Sequence, residues 1–172
     1  MEAAAAAAAE ERSTVCVTGA GGFLASWLVK LLLSTGRYNV RGTVRDPGMS
    51  RNRPPCFDSL PPWRAAGMLV KADILDYSSV ESAIAGCEGV FHVASPVPYG
   101  KPSDPEADLI APAVTGTQNV LKACKEAKVK RVVVVSSVAA VFNNPNWPKG
   151  KAFTEDSWSD EEYCRKNEVD IS

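Results

Sequence analysis

Val15-Cys16-Val17-Thr18-Gly19-Ala20-Gly21-Gly22-Phe23-Leu24-Ala25 is an apolar run that breaks into glycines and at once resumes as an apolar stripe of helical period. It reads as a strand, a tight turn and the opening of a helix. A helix N-terminus offers unpaired backbone N–H groups and a partial positive charge, which together suit a phosphate. Gly19 permits the tight turn, Gly22 lets the backbone approach a pyrophosphate, and Ala25 is the third small residue, at the spacing Gly-x-x-Gly-x-x-Ala. A plain glycine-rich turn is the bland alternative. Against it stand the buried-type strand before the turn and Leu24, Leu28, Leu31 and Leu32 after it, expected on one helical face that Gly36 closes as a C-cap.

Outward from this stretch, Tyr38 to Arg45 alternates as a second strand and completes a βαβ unit. The end of such a strand meets the adenosine ribose, where an acidic residue favours NAD and a basic one accommodates the 2′-phosphate of NADP. Arg45 follows Val44 directly, whereas Asp46 precedes Pro47 and has the look of a turn residue, so NADP is the expected cofactor. An arginine merely in solvent is the competing reading. Residues 48 to 62 are rich in Pro and Arg where a crossover helix is wanted, and Arg51 and Arg53 could add to a 2′-phosphate site or simply be solvated.

Met68 to Lys71 reads as a third strand leading to Asp73 and Ile74, which could meet an adenine ring or, equally, cap the next helix. Ser78-x-x-Glu81 resembles a capping box for a short helix ending near Gly86. Val90 to Ala94 is a fourth strand. After the Pro-rich loop from Ser95 to Asp104, Ile110, Val114, Thr117, Val120, Leu121 and Cys124 recur at helical spacing, with Pro112 in the first turn or at a kink. Lys130 to Ser137 contains a fifth strand of the apolar type buried on both faces of a parallel sheet. The expected fold class is therefore α/β, a doubly wound parallel sheet of Rossmann type with five strands in the order 3-2-1-4-5 and an incomplete C-terminal part.

The chain has 172 residues, 45% apolar and 23% charged, with a net charge of −1, values that fit one globular domain and give no electrostatic drive toward nucleic acid or anionic membrane. Five scattered cysteines without a Cys-x-x-Cys pair suit reduced thiols in the cytoplasm. Residues 1 to 12, with seven consecutive alanines, read as a disordered tail without a signal-peptide pattern. No run reaches the length of a membrane helix. No acid pair, metal cluster or nucleophile elbow is recognisable, and the lone His92 reads as structural. Ser136 and Ser137 fall at the carboxyl end of the fifth strand, where a hydroxyl either faces a substrate carbonyl or merely terminates the strand.

The blocks at 17–28, 43–47, 71–76, 90–96, 116–124, 131–137 and Trp158-Ser159-Asp160 resemble the cinnamoyl-CoA reductase and dihydroflavonol reductase branch of the extended short-chain dehydrogenases/reductases. The resemblance implies NADPH-dependent reduction of a phenylpropanoid-type carbonyl or CoA thioester, a small-molecule substrate. It places Gly19, Gly22, Phe23, Leu24 and Ala25 at the pyrophosphate, Arg45 on the 2′-phosphate, Asp73 and Ile74 around adenine, and Ala94 and Ser95 along the cofactor. Ser137 matches the catalytic serine, with Ser136 its neighbour. That family also uses Tyr-x-x-x-Lys, in which tyrosine is the general acid. Here Tyr38, Tyr77, Tyr99 and Tyr163 are followed four residues later by Gly42, Glu81, Ser103 and Asn167, and the family pattern would begin about where this chain ends.

Tyr163 and Lys166 are three apart but lie in the block that precedes the catalytic helix, and Thr115 stands where relatives place asparagine. The implied organisation is an NADP-binding domain over 13–142 and a segment 143–172 leading toward a catalytic helix and substrate lobe, with little or no activity expected of this polypeptide alone. A non-catalytic dinucleotide-binding isoform and a sugar-nucleotide epimerase or dehydratase are the alternatives, the latter disfavoured by Arg45. The uncharged, β-branched fifth strand is the expected edge for self-association.

Overall fold

A computed structural model of the chain describes residues 12–47, 69–95, 104 and 106–167. The alanine-rich tail, the Pro and Arg-rich stretch with Arg51 and Arg53, Tyr99 and most of the loop before Asp104 lie outside the described residues. The elements in order are β1 (Ser13–Val17), α1 (Phe23–Ser34), β2 (Tyr38–Val44), β3 (Leu69–Lys71), α2 (Tyr77–Ile84), β4 (Gly89–His92), a π-helical turn (Glu106–Ile110), α3 (Ala111–Glu126), β5 (Arg131–Val134), α4 (Ala139–Phe142) and α5 (Glu161–Lys166). The five strands form one parallel sheet in the order β3-β2-β1-β4-β5, as the sequence predicts.

The central strand explains the two-sided winding. Side chains alternate across a strand, so Val15 and Val17 of β1 pack on one face with Ala25, Val29 and Leu32 of α1, while Cys16 packs on the other with Val80 and Ile84 of α2 and Val120, Ala123 and Cys124 of α3. Val17 and Cys16 are both fully buried. Burying side chains of this size stabilises by about 1.5–3 kcal/mol each, so a strand apolar on both faces is stable only between two helical layers. Arg41 of β2 ties one layer to the sheet, its guanidinium donating to the carbonyls of Ala83 and Ala85 at 2.7 and 2.8 Å at the end of α2.

Several sequence expectations are corrected in phase. The buried face of α1 is Ala25, Ser26, Val29 and Leu32, whereas Leu24 and Leu31 are exposed. Small residues let α1 approach the sheet closely, and Ser26 is tolerated there because its hydroxyl donates to the carbonyl of Phe23 at 2.7 Å. The cap of α2 is Asp76, not Ser78: Asp76 accepts from the Ser78 N–H and hydroxyl at 3.1 and 2.8 Å, and these bonds lower its carboxyl pKa. On α3, Val114 and Leu121 are exposed, and the inward positions are Gly116, Val120, Ala123 and Cys124. β5 is not buried on both faces; Val133 and Val134 are 41% and 47% exposed, because β4 is the only described strand that pairs with it. β4 ends at His92, before Ala94.

Candidate nucleotide site

The carboxyl ends of β1, β2 and β4 converge on the glycine turn. Parallel pairing sets them side by side, and three bonds then seat the turn: the Thr18 N–H on the Phe91 carbonyl at 2.9 Å, the Gly19 N–H on the Thr43 hydroxyl at 3.2 Å, and the Ala20 N–H on the Thr43 carbonyl at 2.8 Å. Gly19 has φ +66°, and a Cβ placed on it would lie 3.0 Å from Cα of Ala94. Glycine is thus required there twice, by conformation and by proximity. The Gly22 N–H closes the turn on the Gly19 carbonyl at 2.8 Å, and a Cβ on Gly22 would sit 3.2 Å from that same oxygen.

Gly22 is the N-cap of α1 and brings no side-chain cap to the N–H groups of Phe23 and Leu24 that follow it. A cradle that a Cβ would fill, at the uncapped positive end of a helix, fits the pyrophosphate of a dinucleotide. Arg45 is exposed immediately beyond β2, in no described ion pair, and carries the one positive charge of the Val44-Arg45-Asp46-Pro47 turn. It stands at the carboxyl end of β2, where a basic side chain could meet a 2′-phosphate.

Asp73 and Ile74 form the next wall. The Asp73 carboxylate accepts from the Leu75 N–H at 3.0 Å in a tight turn ahead of α2, and the Asp73 N–H donates to the Ser79 hydroxyl at 3.0 Å, while the cap of α2 itself is Asp76. Ile74 is held from α3: a Cβ on Gly116 would lie 2.5 Å from its Cδ1, and the Asn119 amide donates to its carbonyl at 2.8 Å. Opposite, the Thr18 hydroxyl accepts from the N–H groups of Val93 and Ala94, both at 3.0 Å, and fixes the chain that leads to Ser95. Leaving either N–H buried and unpaired costs about 1–3 kcal/mol. Thr18 is a site residue that sequence reasoning missed; its place directly before Gly19 was the available signal.

His92 is 3% exposed, hydrogen-bonded to Thr18 at 2.9 Å and to Thr117 at 3.1 Å, and burial lowers its pKa below the ordinary 6.5. Ser137 is exposed beyond β5. Its Oγ accepts from the Ala139 N–H at 3.2 Å, which leaves the hydroxyl proton free to donate, while its carbonyl accepts from Ala140 at 3.1 Å to start α4. α4 is in turn strapped to the segment before α5: the Ser159 hydroxyl donates to Ala139 at 2.6 Å, the Ser159 N–H to Ala140 at 2.9 Å, and the Ser157 hydroxyl to Val141 at 3.0 Å. Thr115 is exposed, and Tyr163 and Lys166 lie on α5, where the Tyr163 N–H is held by the Asp160 cap at 2.8 Å.

The described thiols are enclosed in the packing. Cys16, Cys87, Cys124 and Cys164 are free and buried, and burial is the chief cause that pushes Cys16 up to about 12 and Cys124 up to about 11. Among the described residues no group of His, Cys, Asp or Glu could hold a metal ion, and no helix is long and apolar enough to cross a membrane.

This sheet order and glycine turn are those of a Rossmann-type α/β domain, a class that binds dinucleotides at such a turn. The sequence pattern of the 3-beta hydroxysteroid dehydrogenase/isomerase family matches residues 16–165, and the chain belongs to that family. It is similar to cinnamoyl-CoA reductase 1 of Petunia hybrida, 50% identical over 151 residues that make up 88% of this chain and 43% of that protein. Cinnamoyl-CoA reductase 2 of Medicago truncatula is 49% identical over 152 residues, again 88% of this chain and 43% of the relative. Among solved structures, vestitone reductase from alfalfa (Medicago sativa L.) superposes with a TM-score of 0.69 at 35% identity, over 91% of this chain and 46% of that one. Yeast methylglyoxal/isovaleraldehyde reductase Gre2 complexed with NADPH superposes with a TM-score of 0.68 at 32% identity, over 88% and 46%. The chain thus spans less than half the length of these curated relatives.

Proposed function

We propose that the chain is the NADPH-holding part of a reductase that acts on a phenylpropanoid-type carbonyl or CoA thioester. The observation that carries this is the Gly19 to Leu24 cradle, wedged against Ala94 and flanked by Arg45. The names of the similar proteins, cinnamoyl-CoA reductase and a reductase bound to NADPH, support both the cofactor and the substrate class. Bound NADPH would supply the hydride. The N–H groups at the start of α1 bind the pyrophosphate, Arg45 distinguishes the 2′-phosphate from a free ribose, and Ala94 and Ser95 run along the cofactor. The Ser137 hydroxyl donates to the substrate carbonyl oxygen and so orients it.

No tyrosine in residues 1–172 has lysine four positions later. The reading also places the protein in the cytoplasm, where its buried thiols stay reduced, with the exposed edge of β5 open to self-association. Calorimetric titration tests the cofactor. NADPH is expected to bind more tightly than NADH, and Arg45→Ala should remove most of that preference, about tenfold or more for one charge-assisted phosphate contact. Equal affinity for the two cofactors in the unmutated protein would refute the role of Arg45.

A further inference from the structure

The proposed function uses the sheet ends and the glycine turn but leaves the buried His92 and its partner Thr117 without a role. Their hydrogen-bond polarity is fully determined. The Thr18 oxygen already accepts from two backbone donors, the N–H groups of Val93 and Ala94 at 3.0 Å each, which fill its two lone pairs. Its own proton is therefore directed at His92 Nδ1, 2.9 Å away. Nδ1 must then be the unprotonated nitrogen, and the neutral ring carries its proton on Nε2, which donates to the Thr117 hydroxyl at 3.1 Å.

Thr117 belongs to the turn of α3 that also holds the other wall of the cleft. Gly116 packs against Ile74, and the Asn119 amide binds the Ile74 carbonyl at 2.8 Å. Residues 116 and 119 share a helix face three positions apart, and 117 is turned about 100° from 116, toward the sheet. One turn of α3 therefore reaches the Asp73–Ile74 turn on one side and, through His92, the floor of the glycine turn on the other.

We propose that His92 is a positioning residue for the dinucleotide: a neutral ring of fixed polarity that locks α3 to Thr18 and so sets the Ile74 wall of the cleft relative to the Gly19 cradle. This rests on the reading that the cleft binds NADPH. It assigns His92 no contact with cofactor or substrate. The ring is a strut whose two ends are hydroxyls on different elements, and a merely space-filling histidine would need neither hydroxyl.

The test has a spectroscopic and a binding arm, both on the untagged full chain, whose one histidine makes the spectrum unambiguous. Long-range proton–nitrogen NMR at neutral pH is expected to show the Nε2–H tautomer, and the Nδ1–H tautomer or an imidazolium would overturn the proposal. In calorimetry with NADPH, Thr117→Val is expected to weaken binding several-fold to about tenfold, the loss of one part-buried bond, while Thr117→Ser restores it. His92→Leu should weaken binding at least as much. Should His92→Leu fail to fold, the Thr117 pair carries the test, since Thr117 is only partly buried and serine retains the hydroxyl. Wild-type protein that binds NADPH, with Thr117→Val binding equally well, overturns the positioning role alone. Wild-type protein that binds no NADPH overturns the cofactor reading and the positioning role with it, while a tautomer spectrum showing Nε2–H would still uphold the assigned polarity.

Discussion

Gly19 and Gly36 share a left-handed backbone but differ in the space around a Cβ, so alanine substitution at each separates backbone strain from crowding. Gly19 has φ +66° and Gly36 has φ +67°, so both occupy the left-handed region. Nothing lies within 4 Å of a Cβ placed on Gly36, which closes α1 with its N–H on the Leu33 carbonyl at 3.1 Å. Gly36→Ala therefore isolates the conformational cost, about 1 kcal/mol once the lower entropy of the unfolded alanine chain is offset against it. At Gly19 the same strain is joined by contacts of 3.0 and 3.1 Å with Cα and Cβ of Ala94, atoms that cannot swing aside because the Thr18 hydroxyl grips the Val93 and Ala94 N–H groups. Overpacking of this kind adds about 1–3 kcal/mol, so Gly19→Ala is expected to lose about 2–4 kcal/mol. Urea unfolding followed by tryptophan fluorescence reads both values. NADPH affinity should fall more than about tenfold for Gly19→Ala and stay unchanged for Gly36→Ala, since only the first displaces the cradle. Equal losses of stability in the two variants, or NADPH binding by Gly19→Ala at wild-type strength, would refute the claim that this turn is tight because of Ala94.

Two further outcomes follow from single residues. Lys128, at φ 56°, occupies the position after the α3 cap that glycine usually holds, with its N–H on Lys125 at 3.2 Å and the Val129 N–H on Cys124 at 2.9 Å, so Lys128→Gly should stabilise by about 0.5–1 kcal/mol in urea unfolding. His92 is buried neutral, with its pKa lowered by burial; the unfolded chain takes up the proton first as pH falls below about 6.5, so stability drops from there toward the folded pKa with a slope approaching about 1.4 kcal/mol per pH unit, and His92→Gln should flatten that slope.

The strand order, the glycine turn and the capping glycine of α1 were legible because each is a local pattern with one physical meaning: an apolar run buried on both faces, a backbone that must turn without Cβ atoms, a left-handed residue after a helix. Which face of α1 is buried was not fully legible, since Leu24 and Leu31 outweigh Ala25 and Ser26 in hydrophobicity while close packing selects the small residues. Likewise Ser78 fits the capping pattern, but Asp76 lies two residues earlier and its carboxylate reaches both the Ser78 N–H and hydroxyl. At the site, the residues of the glycine turn were readable from spacing. Thr117 and Asn119 were not, because their roles depend on partners 25 and 45 positions away in sequence.

The central claim is that the cleft above β1, β2 and β4 holds NADPH, and backbone amide shift mapping during an NADPH titration tests it most directly. The largest changes are expected at Gly19, Gly22, Phe23 and Leu24, with further changes at Arg45, Asp73, Ile74, Ala94 and Ser95. Saturating NADPH that leaves the glycine turn unmoved, or shifts confined to the Asn144–Phe153 surface beyond α4, would contradict it.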